Sequence, residues 1–276
     1  MSDKPTIGII GGGVVGGAVK NFFLDAKVYD KYKNLDTIEE VGKCRFIFIC
    51  VPTPFNNGLD LSMVDDAVAN AVRHLTDPAN QLIVIKSTSW VGTTQSYQVR
   101  YPQANFAFNP EFLRDKTANE DFLHNDRQVV GYTTKTKDSP LVKELLAILP
   151  QTPYQRLMPS GAAELVKYAG NTFLALQVIF ANQLYDICES AGINYNEVKA
   201  AVKSDKRIGP SHWEIFHTES SLKSTVGEVY RGYGGKCFPK DMDVFIHEAK
   251  KLGVDAGLFE AGRAVNLDLN GGKYDR

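Results

Sequence analysis

The chain predicts an α/β fold in which a doubly wound parallel sheet is followed by a smaller, mostly helical domain. Three observations carry this prediction. Short apolar runs alternate with amphipathic stretches from residue 6 to about residue 150, as parallel strands with helices on both faces require. The run 45–51 is apolar nearly throughout, as expected of a strand buried on both faces. Beyond Met158-Pro159-Ser160 the strand-like runs stop and long helical patterns take over. Domains are therefore expected at 1–158 and 159–276.

In chain order, strands are expected at 6–10, 27–29, 45–51, 81–86, 105–108 and 128–131, with helical patterns between several of them, as at 62–75 and 140–149. Ser160 is placed to cap the next helix, with Glu164 in its first turn favouring the dipole. That helix runs to about Ala191 and is ended by Gly192. Leu165, Val166, Phe173, Leu174, Leu176, Val178, Ile179, Phe180, Leu184 and Ile187 fall on nearly every face of it. Such a helix is expected to be covered on all sides, and in a small domain a second copy of the chain is the expected cover, giving a homodimer. A helix and turn at 193–208, a polar irregular stretch at 209–229, and helices at 239–252 and 258–269 complete the chain.

The 31 basic and 32 acidic residues leave a net charge of -1, which argues against bulk affinity for nucleic acid or an anionic membrane. No apolar run reaches the ~20 residues needed to span a bilayer, and the polar start Met1-Ser2-Asp3-Lys4-Pro5 is no signal peptide. Cys44, Cys50, Cys188 and Cys237 form neither a Cys-x-x-Cys pair nor a zinc spacing, so no metal site is expected. The first three read as buried small hydrophobes, and the absence of a disulfide framework fits a reducing cytoplasm.

The segment from Thr6 to Lys20 reads as strand, glycine turn and helix, with Gly11, Gly13 and Gly16 in Gly-x-Gly-x-x-Gly spacing. The first glycine permits the tight turn, the second lets the backbone approach a pyrophosphate, and the third lets helix and strand pack closely. The helix start, with Val14 and Val15, then faces the phosphates. This is the Rossmann-type arrangement for a dinucleotide. Asp30 at the end of the next strand would accept from both ribose hydroxyls and repel a 2′-phosphate, favouring NAD over NADP.

A second motif, Gly234-Gly235-Lys236-Cys237-Phe238-Pro239-Lys240-Asp241, sets a thiol between a glycine-rich turn and a helix start, with two lysines close by. A thiol so placed is expected to have a lowered pKa. Beside a dinucleotide loop, it points to an oxidoreductase that uses a thiolate as well as a hydride acceptor.

These motifs, with Cys50-Val-Pro-Thr-Pro54, Lys86-Ser-Thr88, Asn109-Pro-Glu-Phe-Leu-Arg114, Glu164-Leu-Val-Lys-Tyr-Ala-Gly-Asn171, Arg207-Ile-Gly209 and Gly232-Tyr233, occur in the order found in the UDP-glucose 6-dehydrogenase family of nucleotide-sugar dehydrogenases, which the chain resembles over nearly its whole length. The resemblance implies oxidation of a sugar alcohol to a carboxylate with two NAD per sugar, UDP-glucose being the first candidate. Cys237 would form a thiohemiacetal and then a thioester. Lys167 and Asn171, four apart on one helix face, would hold an oxyanion. Glu111 would act as base or water activator, Thr88 would position that water, and Asp241 would orient Lys167 or a water. Val51, Pro52, Thr53, Ser87 and Thr88 would line the NAD site, with Pro54 beside Thr53. Phe112, Leu113, Arg114, Lys167, Asn171, Arg207, Tyr233, Gly234 and Gly235 would meet the sugar nucleotide, and Arg207 or Arg231 would reach a neighbouring subunit's site.

The sequence also departs from the family pattern. Family members carry a third, nucleotide-gripping domain, and the chain ends about where it would begin, so a compact form is expected. The segment after Asp30 is short, Asp115 stands where Glu is frequent, and Gln177 where Lys or Arg is frequent. Residues 210–231 intervene before the cysteine motif. They are expected to fold over the active site, with Trp213 or His212 contacting the base. Two other classes stay open: a two-electron hydroxy-acid dehydrogenase, and a non-catalytic NAD-binding interaction module.

Overall fold

The computed structural model describes residues 4–217 and 229–272. The chain divides into two compact units, Met1–Pro54 with Leu59–Lys167, and Phe55–Gly58 with Tyr168–Arg276.

Among the described residues of the first unit, seven strands form one sheet: β1 (Ile7–Ile10), β2 (Lys27–Tyr29), β3 (Phe46–Ile49), β4 (Leu82–Ile85), β5 (Phe106–Phe108), β6 (Arg127–Tyr132) and β7 (Tyr154–Pro159), in the order β2-β1-β3-β4-β5-β6-β7. Helices α1 (Val14–Phe22), α2 (Ile38–Gly42), α3 (Ser62–His74), α4 (Thr93–Arg100), α5 (Ala118–Leu123) and α6 (Pro140–Ile148) connect them. Successive strand residues point to opposite faces. Ile9, Phe46, Phe48, Leu82 and Val84 accordingly face α1, α5 and α6, whereas Ile10, Ile47, Ile49, Ile83 and Ile85 face α2, α3 and α4. Two cores on one sheet are the doubly wound, Rossmann-type fold that the β-α alternation predicts.

In the fold of the first unit the sequence expectations differ from the structure in three places. β7 has no counterpart in them: it is an edge strand whose residues are half-buried or exposed, so it lacks the continuous apolar run that marks β3 and β4. β6 runs antiparallel to β5. A strand's own apolar pattern does not encode its direction, so the alternation of the sequence carries no sign of this reversal. Glu164 is not in the first turn of its helix, α7 (Ser160–Ala191), and does not serve that helix's dipole. Its buried carboxylate accepts from the Gly92 N–H (2.6 Å), the Thr94 N–H (2.8 Å) and the Thr94 hydroxyl (2.6 Å), and so caps the start of α4. Burial pushes this carboxyl up to about 7 against the pull of those three donors.

The second unit is helical, with α7 from Tyr168 onward, α8 (Tyr195–Lys203), α9 (Phe238–Lys251) and α10 (Gly257–Leu269). Ala175, Val178, Ile179, Met242, Ile246 and Ala249 form one core. A Cβ at Gly262 would meet Leu176 Cδ2 at 2.5 Å, so α10 packs closely against the Leu176 side chain of α7. A second core joins Ala181, Cys188, Tyr195, Trp213 and Ile215. Trp213 is thus part of the interior, its indole N–H donating to Gly209 O (2.9 Å), and it is not free to contact a base. Residues 218–228 of the insert lie outside the described residues. Along α7, Phe173, Phe180 and Ile187, seven residues apart, are 67%, 57% and 63% exposed, so the described residues leave one side of this helix uncovered. Among the described residues no helix is long and apolar enough to cross a membrane.

Candidate functional site

The first unit supplies the dinucleotide loop. Gly11 has φ 103, in the left-handed region, and a Cβ there would meet Cys50 O at 2.5 Å. A Cβ on Gly16 would lie 1.9 Å from Gly11 O, so helix α1 and strand β1 approach as only glycine permits. Gly13, the N-cap of α1, has nothing within 4 Å of its missing side chain, which leaves the helix start open to a phosphate; Val14 and Val15 follow in the first turn. Asp30 closes the loop from the end of β2. Its carboxylate accepts from Gly12 N–H (2.8 Å) and Tyr32 N–H (3.0 Å), leaving one lone pair on each oxygen for a ribose hydroxyl. The Tyr32 N–H, then the Gly12 N–H and Lys33 ammonium, hold this carboxyl below its ordinary value despite burial. These residues fit NAD, and it is this chain's cofactor.

At the carboxyl ends of β3 and β4, the Ser87 hydroxyl accepts from the Val51 N–H (2.9 Å) and lies 2.8 Å from the Val51 carbonyl, which fixes the Val51-Pro52-Thr53 turn. Thr53 is buried and Thr88 half-buried beside them. Beyond β5, Glu111 is buried, with Oε1 2.5 Å from Lys167 Nζ and Oε2 accepting from the Leu113 N–H (2.8 Å). Burial alone would raise the Glu111 carboxyl. The Lys167 charge and hydrogen bond, the Leu113 N–H and the Lys86 charge outweigh it, and the carboxyl is held low. Glu111 and Lys167 therefore form a buried ion pair.

Other residues of the Asn109–Arg114 motif are engaged elsewhere. The Phe112 ring lies 4.0 Å under the Arg127 guanidinium, Leu113 packs on the sheet, and Arg114 pairs with Asp121 through Nη2 (2.6 Å) and Nε (3.0 Å).

In the second unit, Cys237 is the N-cap of α9: its carbonyl accepts from Asp241 N–H (2.8 Å), and Pro239 occupies the first turn. The thiol is half-buried, unlike those of Cys44, Cys50 and Cys188, which are buried. Burial raises the Cys44 and Cys50 thiols to about 11 and about 12, which keeps them protonated and inert. Asp241, one turn after Cys237, is buried and accepts from the Asn171 amide (2.6 Å), and Lys240 Nζ lies 2.5 Å from its other oxygen. Asp241 thus orients Asn171, a partner not foreseen for it.

The Gly232–Gly235 turn uses positive φ at Gly232 (81) and Gly235 (76), and Asn266 fastens it at the backbone N–H (2.7 Å) and carbonyl (3.0 Å) of Tyr233. The Tyr233 side chain itself is in the core, so from this turn mainly Gly234 and Gly235 offer surface. Arg207 is exposed and forked onto Asp205. Arg231 is held to α7 by Asp186 (2.8 Å) and by Asn182 Oδ1 and O (both 3.1 Å). The ring of His212, which has φ 65, lies tilted with its centroid 5.6 Å from that of Phe238, the residue after Cys237.

Two buried groups in the first unit carry no role in the sequence expectations: Lys86, inside the quoted Lys86-Ser-Thr88 motif, and Asn109. The available signals were a lysine closing the apolar run Leu82–Ile85 and an asparagine before proline at the end of the next strand. Among the described residues no group of acidic, histidine and cysteine side chains is arranged to hold a metal.

Comparison with known proteins places this geometry. Residues 23–149 match the model for the NAD-binding domain of the UDP-glucose/GDP-mannose dehydrogenase family, and residues 161–268 match that for its central domain. A UDP-glucose 6-dehydrogenase of Rickettsia prowazekii is 34% identical over 218 residues, 77% of this chain and 45% of that protein. YwqF of Bacillus subtilis, also a UDP-glucose 6-dehydrogenase, is 32% identical over 244 residues, 84% of this chain and 51% of that protein. The chain spans about half the length of these relatives. The structure of a UDP-glucose dehydrogenase from Pyrobaculum islandicum superposes with a TM-score of 0.78 at 29% identity, over 96% of this chain and 68% of that one.

Proposed function

Because the chain belongs to the UDP-glucose/GDP-mannose dehydrogenase family, we propose that it is an NAD-dependent nucleotide-sugar 6-dehydrogenase that oxidises UDP-glucose to UDP-glucuronate in two two-electron steps. The observation that carries this reading is Cys237, a half-buried thiol at the start of α9. A simple alcohol dehydrogenase has no use for that nucleophile.

In the proposed sequence, Lys167 polarises the C6 alcohol oxygen and, with Asn171, stabilises the developing oxyanion. The Cys237 sulfur adds to the resulting aldehyde to give a thiohemiacetal, which loses a hydride and a proton to become a thioester. Glu111 readies the water whose oxygen displaces the sulfur, releasing the carboxylate and the thiol. NAD, when bound, supplies the hydride acceptor for both oxidations, held by Gly11, Gly13, Gly16 and Asp30. Asp241 keeps the Asn171 amide aimed, and Thr88 positions the hydrolytic water. A reducing cytoplasm suits a thiol nucleophile.

Limiting UDP-glucose with excess NAD is expected to yield two NADH per sugar. One NADH from a small hydroxy acid, unchanged by Cys237→Ser, would support the two-electron alternative. Tight NAD binding without turnover of any nucleotide sugar would support a non-catalytic module.

The assembly proposed is a homodimer. Phe173, Phe180 and Ile187 form an apolar stripe at heptad spacing along one side of α7, the pattern by which a helix seats against a second helix. Phe180→Glu places a charge in that stripe and is expected to yield a 30.5 kDa monomer by light scattering at concentrations where the parent chain is twice that mass. A monomeric parent chain would remove the dimer.

A further inference from the structure

We infer that Lys86 is a positioning residue: its buried ammonium braces the Asn109–Pro110 turn and so aims the Glu111 carboxylate at Lys167. The inference rests on the reading of Glu111 as the group that readies water for thioester hydrolysis.

Lysine is almost never fully buried without a charged partner. Lys86, at the end of β4, is 2% exposed, and the groups in contact with its ammonium are neutral. Nζ donates to Asn109 Oδ1 (2.8 Å) and lies 3.5 Å from Asn109 O and 3.4 Å from Pro110 O, so its contacts converge on one turn. The Phe122 ring covers the cation at 5.3 Å. Asn109 is completely buried and donates from Nδ2 to Val129 O (2.8 Å). Lys86 and Asn109 therefore lock the ends of β4, β5 and β6 together immediately before Glu111.

A neutral amide would satisfy the same acceptors without the cost of burying a charge. What the ammonium adds is its field at Glu111, where its charge helps to hold the carboxyl low. Burial in turn lowers Lys86 to about 8, with Cys50 and Glu111 opposing that shift and Lys167 adding to it. The brace is thus charged at neutral pH, and its field at Glu111 fades as pH rises through about 8.

Glu111 accepts from the Leu113 N–H, so the Leu113 amide resonance reports on the carboxylate. In the parent chain it is expected to shift at acid pH, with Glu111, and again near pH 8, with Lys86. In Lys86→Met the second shift disappears and the first moves to higher pH. Turnover of UDP-glucose falls about tenfold to 100-fold in kcat, with KM for NAD nearly unchanged. Lys86→Arg, which stays charged, retains the acid midpoint and recovers part of kcat.

A folded Lys86→Met with parental Leu113 titration and kcat would overturn the inference. If that variant does not fold, Lys86→Gln decides: this neutral side chain can donate to the same acceptors, its Leu113 acid shift is expected at higher pH than in the parent chain, and an unchanged acid midpoint would equally overturn the inference. If the parent chain oxidises no nucleotide sugar, the proposed function fails, while the Leu113 titration still tests the brace.

Discussion

Cys237→Ser is expected to reduce formation of the sugar carboxylate by about 10⁴-fold or more, the scale on which removing a nucleophile from a cooperating set acts. The substitution exchanges sulfur for oxygen at a half-buried helix N-cap, a position where serine is favoured, so folding and NAD affinity should be unaffected. The loss is therefore chemical. Sulfur is the stronger nucleophile and a thiolate is a good leaving group from its acyl adduct, whereas a serine hydroxyl is neither without an adjacent base. The check is NADH yield together with product analysis. With the parent chain two NADH should accompany each acid formed, and with the serine variant the yield per sugar should collapse at unchanged melting temperature. A serine variant that still makes the acid at the parental rate would rule out the thioester route.

Glu111→Gln carries the second large effect, on stability and chemistry together. The substitution keeps the side-chain shape but leaves Lys167, 4% exposed, as a buried cation without its carboxylate, and Lys86 adds a second positive charge nearby. Removing one partner of a buried pair costs about 3–5 kcal/mol, visible as a lower urea midpoint at pH 7. The pH dependence has a definite sign. The folded-state carboxyl is held below its unfolded value of 4.5, so its contribution is complete above pH 4.5 and is lost as pH falls through the folded-state value. The gap in stability between parent and variant should therefore be widest near neutrality and close in acid.

Replacing both partners, as in Glu111→Gln with Lys167→Met, should recover part of the lost stability, because an apolar substitute for a buried ion pair is often close to neutral. Catalytically, loss of the base slows thioester hydrolysis by about 10²–10⁴-fold. The acyl-enzyme should then accumulate on Cys237 and appear as an added mass on the intact protein. A variant that turns over normally with no adduct would show that another group activates the water.

The sheet of the first unit and its cofactor loop were legible because both are short-range. Alternation of apolar runs marks β1, β3 and β4, and the three glycines of the loop follow from backbone sterics within a few residues. β7 was not legible, since an edge strand needs no continuous apolar run and Tyr154–Pro159 has none. The antiparallel β6 was also hidden, because strand direction is not encoded in the strand's own composition.

The residues of the proposed chemistry are named at the motif level: the thiol beside glycines, the paired Lys167 and Asn171, and Glu111 after a strand end. Their partners are not. Asp241 holds Asn171, Glu164 caps α4 across 70 residues of sequence, and Trp213 belongs to a core rather than to a substrate surface.

By itself the sequence determined the doubly wound sheet and the NAD loop, because periodicity and glycine spacing encode local backbone geometry, and the order of its motifs carried the resemblance to the family. Only the tertiary structure decided which charges are paired and which polar groups are spent on structure. The Glu111–Lys167 pair and the Lys86–Asn109 brace join residues far apart in the chain. Their protonation is set by burial and by neighbouring charge, and neither exists until the chain has folded.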